Sequence, residues 1–225
     1  LGEDITVLGL RESGFDAVFL GIGAWDSTKM RVQDEDTPGV LAGIDFLRDY
    51  GLQRAAHLAG RIVVVGGGNT AIDCARTALR LGASDVRLLY RRTRTEMPAN
   101  DPEIVEAEHE GVQMEFLVAP VRVLKSDGQL AGLECLRMEL GEPDASGRRS
   151  PRPIRGSEFT VECDVVIAAI GQSTRAPELV SGRIAAFLPP GDDLSLTRWQ
   201  TIQVNERTFE TSVDGVFAGG DVGTG

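Results

Sequence analysis

Three consecutive glycines, followed by small and polar residues, form the segment of this sequence with the clearest chemical potential. The G-x-G-x-x-A pattern consists of Gly66, Gly67, Gly68, Asn69, Thr70 and Ala71. Gly66 permits a tight turn out of a strand, Gly68 lets a phosphate approach the backbone, and Ala71 lets a helix pack closely on the strand. The N–H groups and positive dipole end of that helix attract phosphate. The pattern predicts a dinucleotide-binding turn, and an S-adenosylmethionine site with a similar turn is the alternative.

Two adjacent arginines, Arg91 and Arg92, follow the apolar segment 85–90. At about 20 residues after the glycine turn, an NAD site usually places an acidic residue that binds the ribose 2′-hydroxyl. A carboxylate there would repel a 2′-phosphate, whereas guanidinium groups pair with phosphate in a bidentate way. On composition alone the two arginines would equally fit a solvated loop. Their position relative to the glycine turn predicts that the nucleotide is NADPH.

The elements predicted around these residues form the strand–helix–strand unit that such a site requires. Segment 61–66 is a short apolar run typical of a buried parallel strand, segment 85–90 is predicted to be the next strand, and a helix is predicted over 71–81. Further helices are predicted over 40–50 and 102–110. Further strands are predicted over 16–23, 114–118, 120–125, 130–140, 159–162 and 164–171, with an exposed hairpin tip over 141–156. The fold class is therefore α/β: a Rossmann-like domain with a βαβ parallel sheet and an antiparallel hairpin excursion.

Composition excludes several other classes of protein. The 225 residues carry 23 Lys and Arg against 34 Asp and Glu, and this net charge of −11 disfavours nucleic acid and anionic membranes as partners. The cysteines, Cys74, Cys135 and Cys163, are odd in number and far apart, so a reducing, cytoplasmic setting is expected. No apolar run approaches the roughly 20 residues of a membrane helix.

No side chain is placed to act as a catalytic nucleophile or a metal ligand. His57 and His109 lack metal-ligand spacing, no C-x-x-C dithiol is present, and no serine lies in a G-x-S-x-G elbow. We therefore expect a cofactor to supply the chemistry while the protein supplies position and electrostatics.

Taken together, the motifs resemble the NADPH-binding region of the glutamate synthase small (beta) subunit family, a branch of the FAD-dependent pyridine nucleotide oxidoreductases. They also resemble the electron-input part of dihydropyrimidine dehydrogenase. The resemblance rests on segments 19–24, 66–73, 88–92, 96–99, 167–172 and 216–221. It implies that 19–24 and 167–172 are crossovers between an FAD domain and an NADPH domain.

The resemblance also implies roles outside the glycine turn. Gly171 and Gln172 would lie at the nicotinamide end, and Gly220 and Asp221 would belong to the second FAD motif, with Asp221 near the ribityl–pyrophosphate region. The implied domains are a partial FAD segment with its crossover (1–25), the NADPH-binding domain (26–171) and a C-terminal FAD segment (172–225). Hydride would pass from NADPH to FAD, and electrons would continue to iron–sulfur centres outside these residues or to a larger partner subunit.

Family members carry an N-terminal FAD-binding G-x-G-x-x-G, usually preceded by iron–sulfur cysteines, and the sequence contains neither. It starts at Leu1 and stops at Gly225, directly after a glycine-rich turn. We therefore expect a piece of a longer protein, with a truncated FAD domain, that binds NADPH, holds FAD poorly and is inactive alone. The alternatives are a nucleotide-binding module without its own catalysis and a subunit of a different NAD(P)H:acceptor reductase.

Overall fold

The computed structural model describes residues 4–54, 57–144, 147–180, 188–189 and 191–224. Its helices are α1 Val7–Glu12, α2 Gly43–Gly51, α3 Asn69–Arg80, α4 Asp101–His109, α5 Ala176–Val180 and α6 Asp221–Thr224. Its strands are β1 Val18–Leu20, β2 Asp26–Ser27, β3 Val40–Ala42, β4 Arg61–Val65, β5 Asp85–Tyr90, β6 Gln113–Phe116, β7 Val118–Ser126, β8 Gln129–Pro143, β9 Arg149–Pro153, β10 Phe159–Glu162, β11 Val165–Ala168, β12 Gln172–Ser173 and β13 Val216–Ala218. Two compact units result, a larger one of Ser27–Gly171 and a smaller one of Leu1–Asp26 with Gln172–Gly225.

A five-stranded parallel sheet forms the centre of the larger unit. Its strand order is β3-β11-β4-β5-β6, so β4 lies in the middle. Ile62 and Val64 of β4 belong to one hydrophobic core, which also contains residues of α2, α3 and α4. Val63 and Val65 belong to a second core on the opposite face. Since both faces are covered, β4 is a continuous apolar run rather than an alternating one.

An antiparallel sheet supplies the second core of the larger unit. Strand β8 pairs with both β7 and β10, and β9 pairs with the far part of β8. Val123 of β7 and Leu133 of β8 are register partners, and both are buried together with Val63 and Val65. The larger unit therefore has three layers: helices, parallel sheet and antiparallel sheet. This arrangement confirms the predicted α/β fold with its antiparallel excursion.

Several element boundaries differ from the sequence predictions. Residues 40–42 of the helix predicted over 40–50 are strand β3, because they pair in parallel register with Val166, Ile167 and Ala168 of β11. The strand predicted over 114–118 ends at Phe116, since Leu117 has a φ of 57° that interrupts the extended backbone.

Two further predictions change at their ends. Helix α3 begins at Asn69, two residues before the predicted start at 71. The hairpin tip predicted over 141–156 contains β9, which extends the antiparallel sheet along β8. Residues 145 and 146 of that tip lie outside the described residues. Among the helices that the structure describes, none is long and apolar enough to cross a membrane.

Two parallel strands form the centre of the smaller unit. Val18, Phe19 and Leu20 of β1 pair with Val216, Phe217 and Ala218 of β13. The alternate residues of both strands are buried in a core that also includes Val7 of α1 and Ile202. Both strands end in glycines, at Gly21 and Gly219. Carboxyl ends of parallel strands are where α/β folds bind ligands.

The three cysteines provide a test of this packing, because all of them are free and buried. Burial raises the pKa of the thiols of Cys74, Cys135 and Cys163 to about 12. Only the thiolate is a nucleophile, so the thiols stay protonated and shielded near neutral pH. We expect a maleimide dye to label all three slowly in the folded chain and rapidly in denaturant. Fast labelling of any cysteine in the folded chain would contradict the packing described here.

Candidate functional site

The glycine turn joins β4 to α3 at the carboxyl edge of the parallel sheet. Gly68 is the N-cap of α3, and no side chain caps the helix. Among the residues that the structure describes, the N–H groups of Gly68 and Asn69 donate to no other group. An uncapped helix start directs N–H groups and the positive end of the helix dipole outward. This arrangement suits an anionic group such as phosphate.

The first two glycines of the turn are required by packing within the protein. Gly66 has a φ of 149°, and a Cβ at this position would collide with the backbone carbonyl directly after β11. A Cβ at Gly67 would lie 2.5 Å from two ring carbons of Tyr90. Neither position therefore has room for a side chain, whether or not a ligand is bound.

Gly68 differs from its two neighbours, because the space beside it is open. Its φ of −90° is one that any residue adopts, and the nearest atom to an added Cβ would be a carbon of Pro98, 4.0 Å away. Nothing in the protein's own packing requires glycine here. A ligand that approaches the backbone closely would require it, as the dinucleotide-binding pattern predicts.

A loop over 96–100 holds the turn in shape. The Tyr90 hydroxyl donates to the Glu96 carbonyl at 2.8 Å. The Ala99 N–H donates to the Gly67 carbonyl at 3.2 Å. The Asn100 N–H donates to Oδ1 of Asn69 at 2.9 Å, so the Asn69 side chain shapes the site and its backbone N–H is the group left for a ligand.

The other two residues of the pattern lie in the first turn of α3. Thr70 is half-buried, and Ala71 is fully buried. A Cβ at Gly66 would lie 3.1 Å from the Cβ of Ala71, which shows how closely helix and strand approach. A larger residue than alanine would separate them, as the pattern predicts.

Arg91 and Arg92 lie in different surroundings at the end of β5. Arg91 is exposed, and it makes no hydrogen bond or ion pair within the part of the chain that the structure describes. Arg92 is only 5% exposed; its Nε donates to the Arg149 carbonyl at 2.7 Å, and its Nη2 lies 2.7 Å from Oδ2 of Asp144. Of the two arginines predicted to bind phosphate, Arg91 is thus the one directed to solvent.

Gly171 lies after β11, at the same sheet edge as the glycine turn. It has a φ of 139°, and its carbonyl accepts a hydrogen bond from the Thr28 N–H at 3.0 Å. Because β4 and β11 are neighbouring parallel strands, both strands end at this edge. The position is the one at which open α/β sheets bind ligands.

The remaining predicted residues belong to the smaller unit. Gln172 is exposed in β12. Gly220, with a φ of 70°, follows β13, and the exposed Asp221 opens α6. A Cβ at the preceding Gly219 would lie 2.8 Å from the far end of the exposed Phe19 ring. The ligand contacts of Gln172, Gly220 and Asp221 stay predictions.

Sequence reasoning missed two contributions to the site: the Tyr90 ring against Gly67 and the Asp144 carboxylate against Arg92. Tyr90 ends a predicted strand and carried no local signal of this contact. Asp144 is separated from Arg92 by 52 residues. Within the described residues, no cluster of His, Cys, Asp or Glu could hold a metal ion.

Comparisons with known proteins agree with this geometry. Residues 5–225 match the family model of the pyridine nucleotide-disulphide oxidoreductases. The chain is 46% identical over 249 residues to the NADPH-Fe(3+) oxidoreductase subunit beta of Geobacter sulfurreducens, covering 100% of the chain and 36% of that protein. It is 46% identical over 225 residues to the NADP(+)-dependent formate dehydrogenase subunit beta of Moorella thermoacetica, covering 99% and 30%. It is 37% identical over 234 residues to the glutamate synthase [NADPH] small chain of Azospirillum brasilense, covering 99% and 46%. The chain therefore spans less than half the length of these relatives.

Two solved structures share this fold. Mycobacterium tuberculosis FprA in complex with NADPH has a TM-score of 0.74 at 18% identity, covering 100% of this chain and 61% of that one. Thioredoxin reductase from T. acidophilum has a TM-score of 0.64 at 18% identity, covering 93% and 58%. At these identities the likeness establishes the fold.

The two glycines 67 and 68 should respond differently to the same substitution. Gly67→Ala should lower the free energy of unfolding by about 1–3 kcal/mol, because the new methyl group overlaps the Tyr90 ring. Gly68→Ala should cost less than about 1 kcal/mol, because the methyl group enters open space and only the helix cap is affected. Urea unfolding followed by circular dichroism measures both. Equal losses in the free energy of unfolding would contradict the difference in space described for the two glycines.

Proposed function

Because the chain belongs to the pyridine nucleotide-disulphide oxidoreductase family, we propose that its larger unit binds NADPH within a flavin-dependent oxidoreductase. The observation that carries the proposal is the uncapped start of α3 beside the open space at Gly68. These features fit a pyrophosphate, which needs several N–H donors and close access to the backbone. The relatives named above include NADPH-dependent oxidoreductase subunits, which supports the same nucleotide.

The proposal assigns each part of the nucleotide to a part of the chain. The turn Gly66–Ala71 holds the pyrophosphate, and the arginines at the end of β5 face the adenosine ribose and its 2′-phosphate. Gly171 and Gln172 lie toward the nicotinamide. Gly220 and Asp221 of the smaller unit contribute to an FAD site. In the proposed division of the chain, segments 1–25 and 172–225 form part of an FAD domain, and 26–171 forms the NADPH domain.

When bound, NADPH supplies a hydride that the proposed reaction transfers to FAD, with electrons passing on to an iron–sulfur centre or a partner subunit. The residues of this chain bind and orient the nucleotide. Its described thiols stay protonated, since burial raises their pKa values, so they take no part in the reaction. Several relatives are named as beta subunits or small chains, which supports assembly with a larger partner.

The acceptor of the electrons differs among the relatives. Their names mention Fe(3+), formate dehydrogenase and glutamate synthase. NADPH is shared by the names of the first and third, and NADP(+) occurs in the second. The proposed function is therefore the NADPH half of the reaction, with transfer to a cytoplasmic acceptor.

Gly68→Ala tests the pyrophosphate site. We expect NADPH affinity to fall by at least about tenfold, because the methyl group would occupy the space that the pyrophosphate needs. Isothermal titration calorimetry of NADPH with the full chain measures this change. Gly51→Ala is the matched control, since a Cβ there also meets open space but lies at the end of α2. Unchanged NADPH affinity in Gly68→Ala would contradict the proposed position of the pyrophosphate.

Arg91→Ala tests the choice between the two nicotinamide nucleotides. A hydrogen bond to a charged group contributes about 1.5–3 kcal/mol, so NADPH affinity should fall at least about tenfold while NADH affinity stays nearly constant. The matched control is Arg94→Ala, whose guanidinium pairs with Glu108 at 2.9 Å. If NADPH and NADH affinities fell equally in Arg91→Ala, Arg91 would not bind the 2′-phosphate.

A further inference from the structure

We propose that Arg92 is a positioning residue and that the hairpin of β8 and β9 acts through it to hold Arg91 in place for the 2′-phosphate. This inference rests on the proposed function. It divides the work of the arginine pair, in which Arg91 contacts the phosphate and Arg92 fixes the backbone of the segment. Specificity for the phosphorylated nucleotide then depends on the hairpin of β8 and β9, which is not part of the parallel sheet that carries the glycine turn.

The surroundings of Arg92 leave little of its side chain for a ligand. The side chain is 6% exposed, and two of its three nitrogens are engaged. Nε donates to the Arg149 carbonyl, and Nη2 pairs with the Asp144 carboxylate, both at 2.7 Å. A buried guanidinium with a carboxylate partner is neutralised as a pair. Binding a phosphate through these nitrogens of Arg92 would require giving up contacts that are already short.

The main chain of Arg92 is fixed as well. Its carbonyl accepts the N–H of Leu117 at 3.0 Å, and the Leu117 carbonyl accepts the N–H of Met138 at 2.8 Å. Leu117 has a φ of 57°, which turns the chain between β6 and β7 at this point. Arg92 is thus connected by its backbone to the start of β7 and to the middle of β8, and by its side chain to β9.

The hairpin presents Asp144 in a defined position. The Asp144 N–H donates to the Arg148 carbonyl at 2.7 Å, and the Asp144 carbonyl accepts from Gly147 at 2.9 Å. Arg149 donates to the Leu140 carbonyl at 2.8 Å and so closes the hairpin from the other strand. The backbone of the residue whose carboxylate pairs with Arg92 is therefore held by hydrogen bonds to the β9 side of the hairpin.

The consequence falls on Arg91, one residue before this anchor. Its exposed guanidinium projects from a backbone that cannot move freely, which lowers the entropy lost when a phosphate is bound. Asp144 pairs with Arg92, whereas the exposed Arg91 makes no ion pair within the described residues. Arg94 is paired with Glu108 and does not compete for the same anion.

The two roles for Arg92 predict opposite effects of neutralising Asp144. If Arg92 bound the phosphate directly, Asp144 would compete with the phosphate, and Asp144→Asn would leave binding unchanged or strengthen it. If Arg92 is a positioning residue, Asp144→Asn removes the ion pair that fixes it, and binding of the 2′-phosphate weakens. The sign of the change therefore distinguishes the two roles.

The experiment compares two probes, 2′,5′-ADP and 5′-AMP, by calorimetry with the full chain at constant ionic strength. For Asp144→Asn we expect the affinity for 2′,5′-ADP to fall at least about tenfold, while that for 5′-AMP changes by less than about twofold. Asp144→Glu, which keeps the ion pair, should retain most of the 2′,5′-ADP affinity. Glu108→Gln is the matched control, because it removes the same charge from a different ion pair, that of Glu108 with Arg94.

An unchanged or increased 2′,5′-ADP affinity in Asp144→Asn would overturn the inference, and so would an equal loss for both probes. If Asp144→Asn does not fold by circular dichroism, Arg92→Lys gives the answer. Lysine keeps the charge but lacks the planar fork whose Nε and Nη2 reach the two partners of Arg92. Selectivity should therefore still fall, and retained selectivity would overturn the inference. Failure of the wild-type chain to bind NADPH and 2′,5′-ADP would instead refute the proposed function itself.

Discussion

The structure depends on the close approach of backbone at the carboxyl end of β4. This strand is buried on both faces in the middle of the parallel sheet, so it must leave the sheet through a turn that has almost no room for side chains. The carbonyl after β11 limits Gly66, and the Tyr90 ring limits Gly67. Of the three glycines in the turn, Gly68 is the one with open space beside it. The same constraint that packs α3 closely on the sheet therefore separates Gly68, with open space beside it, from the two crowded glycines before it.

The layers on the two faces of the sheet contribute to the site in different ways. The helical layer supplies the N-terminus of α3, whose dipole and N–H groups favour an anion. The antiparallel layer covers the other face through residues such as Val123 and Leu133. Its far hairpin also reaches the end of β5 through Asp144. The antiparallel excursion predicted from the sequence is thus joined to Arg92 by a partly buried ion pair.

Much of the parallel sheet could be predicted from the sequence because its signals are local. The valine run of β4, the glycines after it and the alanine-rich α3 lie within about 20 residues, and their pattern indicates strand, turn and helix. The apolar spacing that continues into α2 predicts a helix for residues 40–42, but pairing with β11 makes them a strand. Here the hydrogen bonds of the sheet override a helical pattern. The partner strand β11 lies far away in the sequence, so a short window around residues 40–42 carries no sign of it.

The different surroundings of the Arg91 and Arg92 side chains could not be predicted for a related reason. The two residues have the same side chain and adjacent positions, so local sequence gives them equal roles. Only the contacts of Arg92 with Asp144 and with the Arg149 carbonyl separate them, and these partners are 52 and 57 residues away. The space available beside Gly66, Gly67 and Gly68 likewise depends on groups that are distant in the sequence. Motif spacing predicts where the site lies, while long-range packing gives each of its residues different surroundings.

The central claim is that the uncapped turn after β4 is the point at which this chain contacts NADPH. Nuclear magnetic resonance of the ¹⁵N-labelled chain, titrated with NADPH, tests it most directly, because backbone N–H groups report their own hydrogen bonds. We expect the largest shifts at the amides of Gly67, Gly68 and Asn69, with a smaller group of shifts around Arg91. Shifts absent from this turn, or concentrated at residues far from the carboxyl edge of the sheet, would contradict the claim.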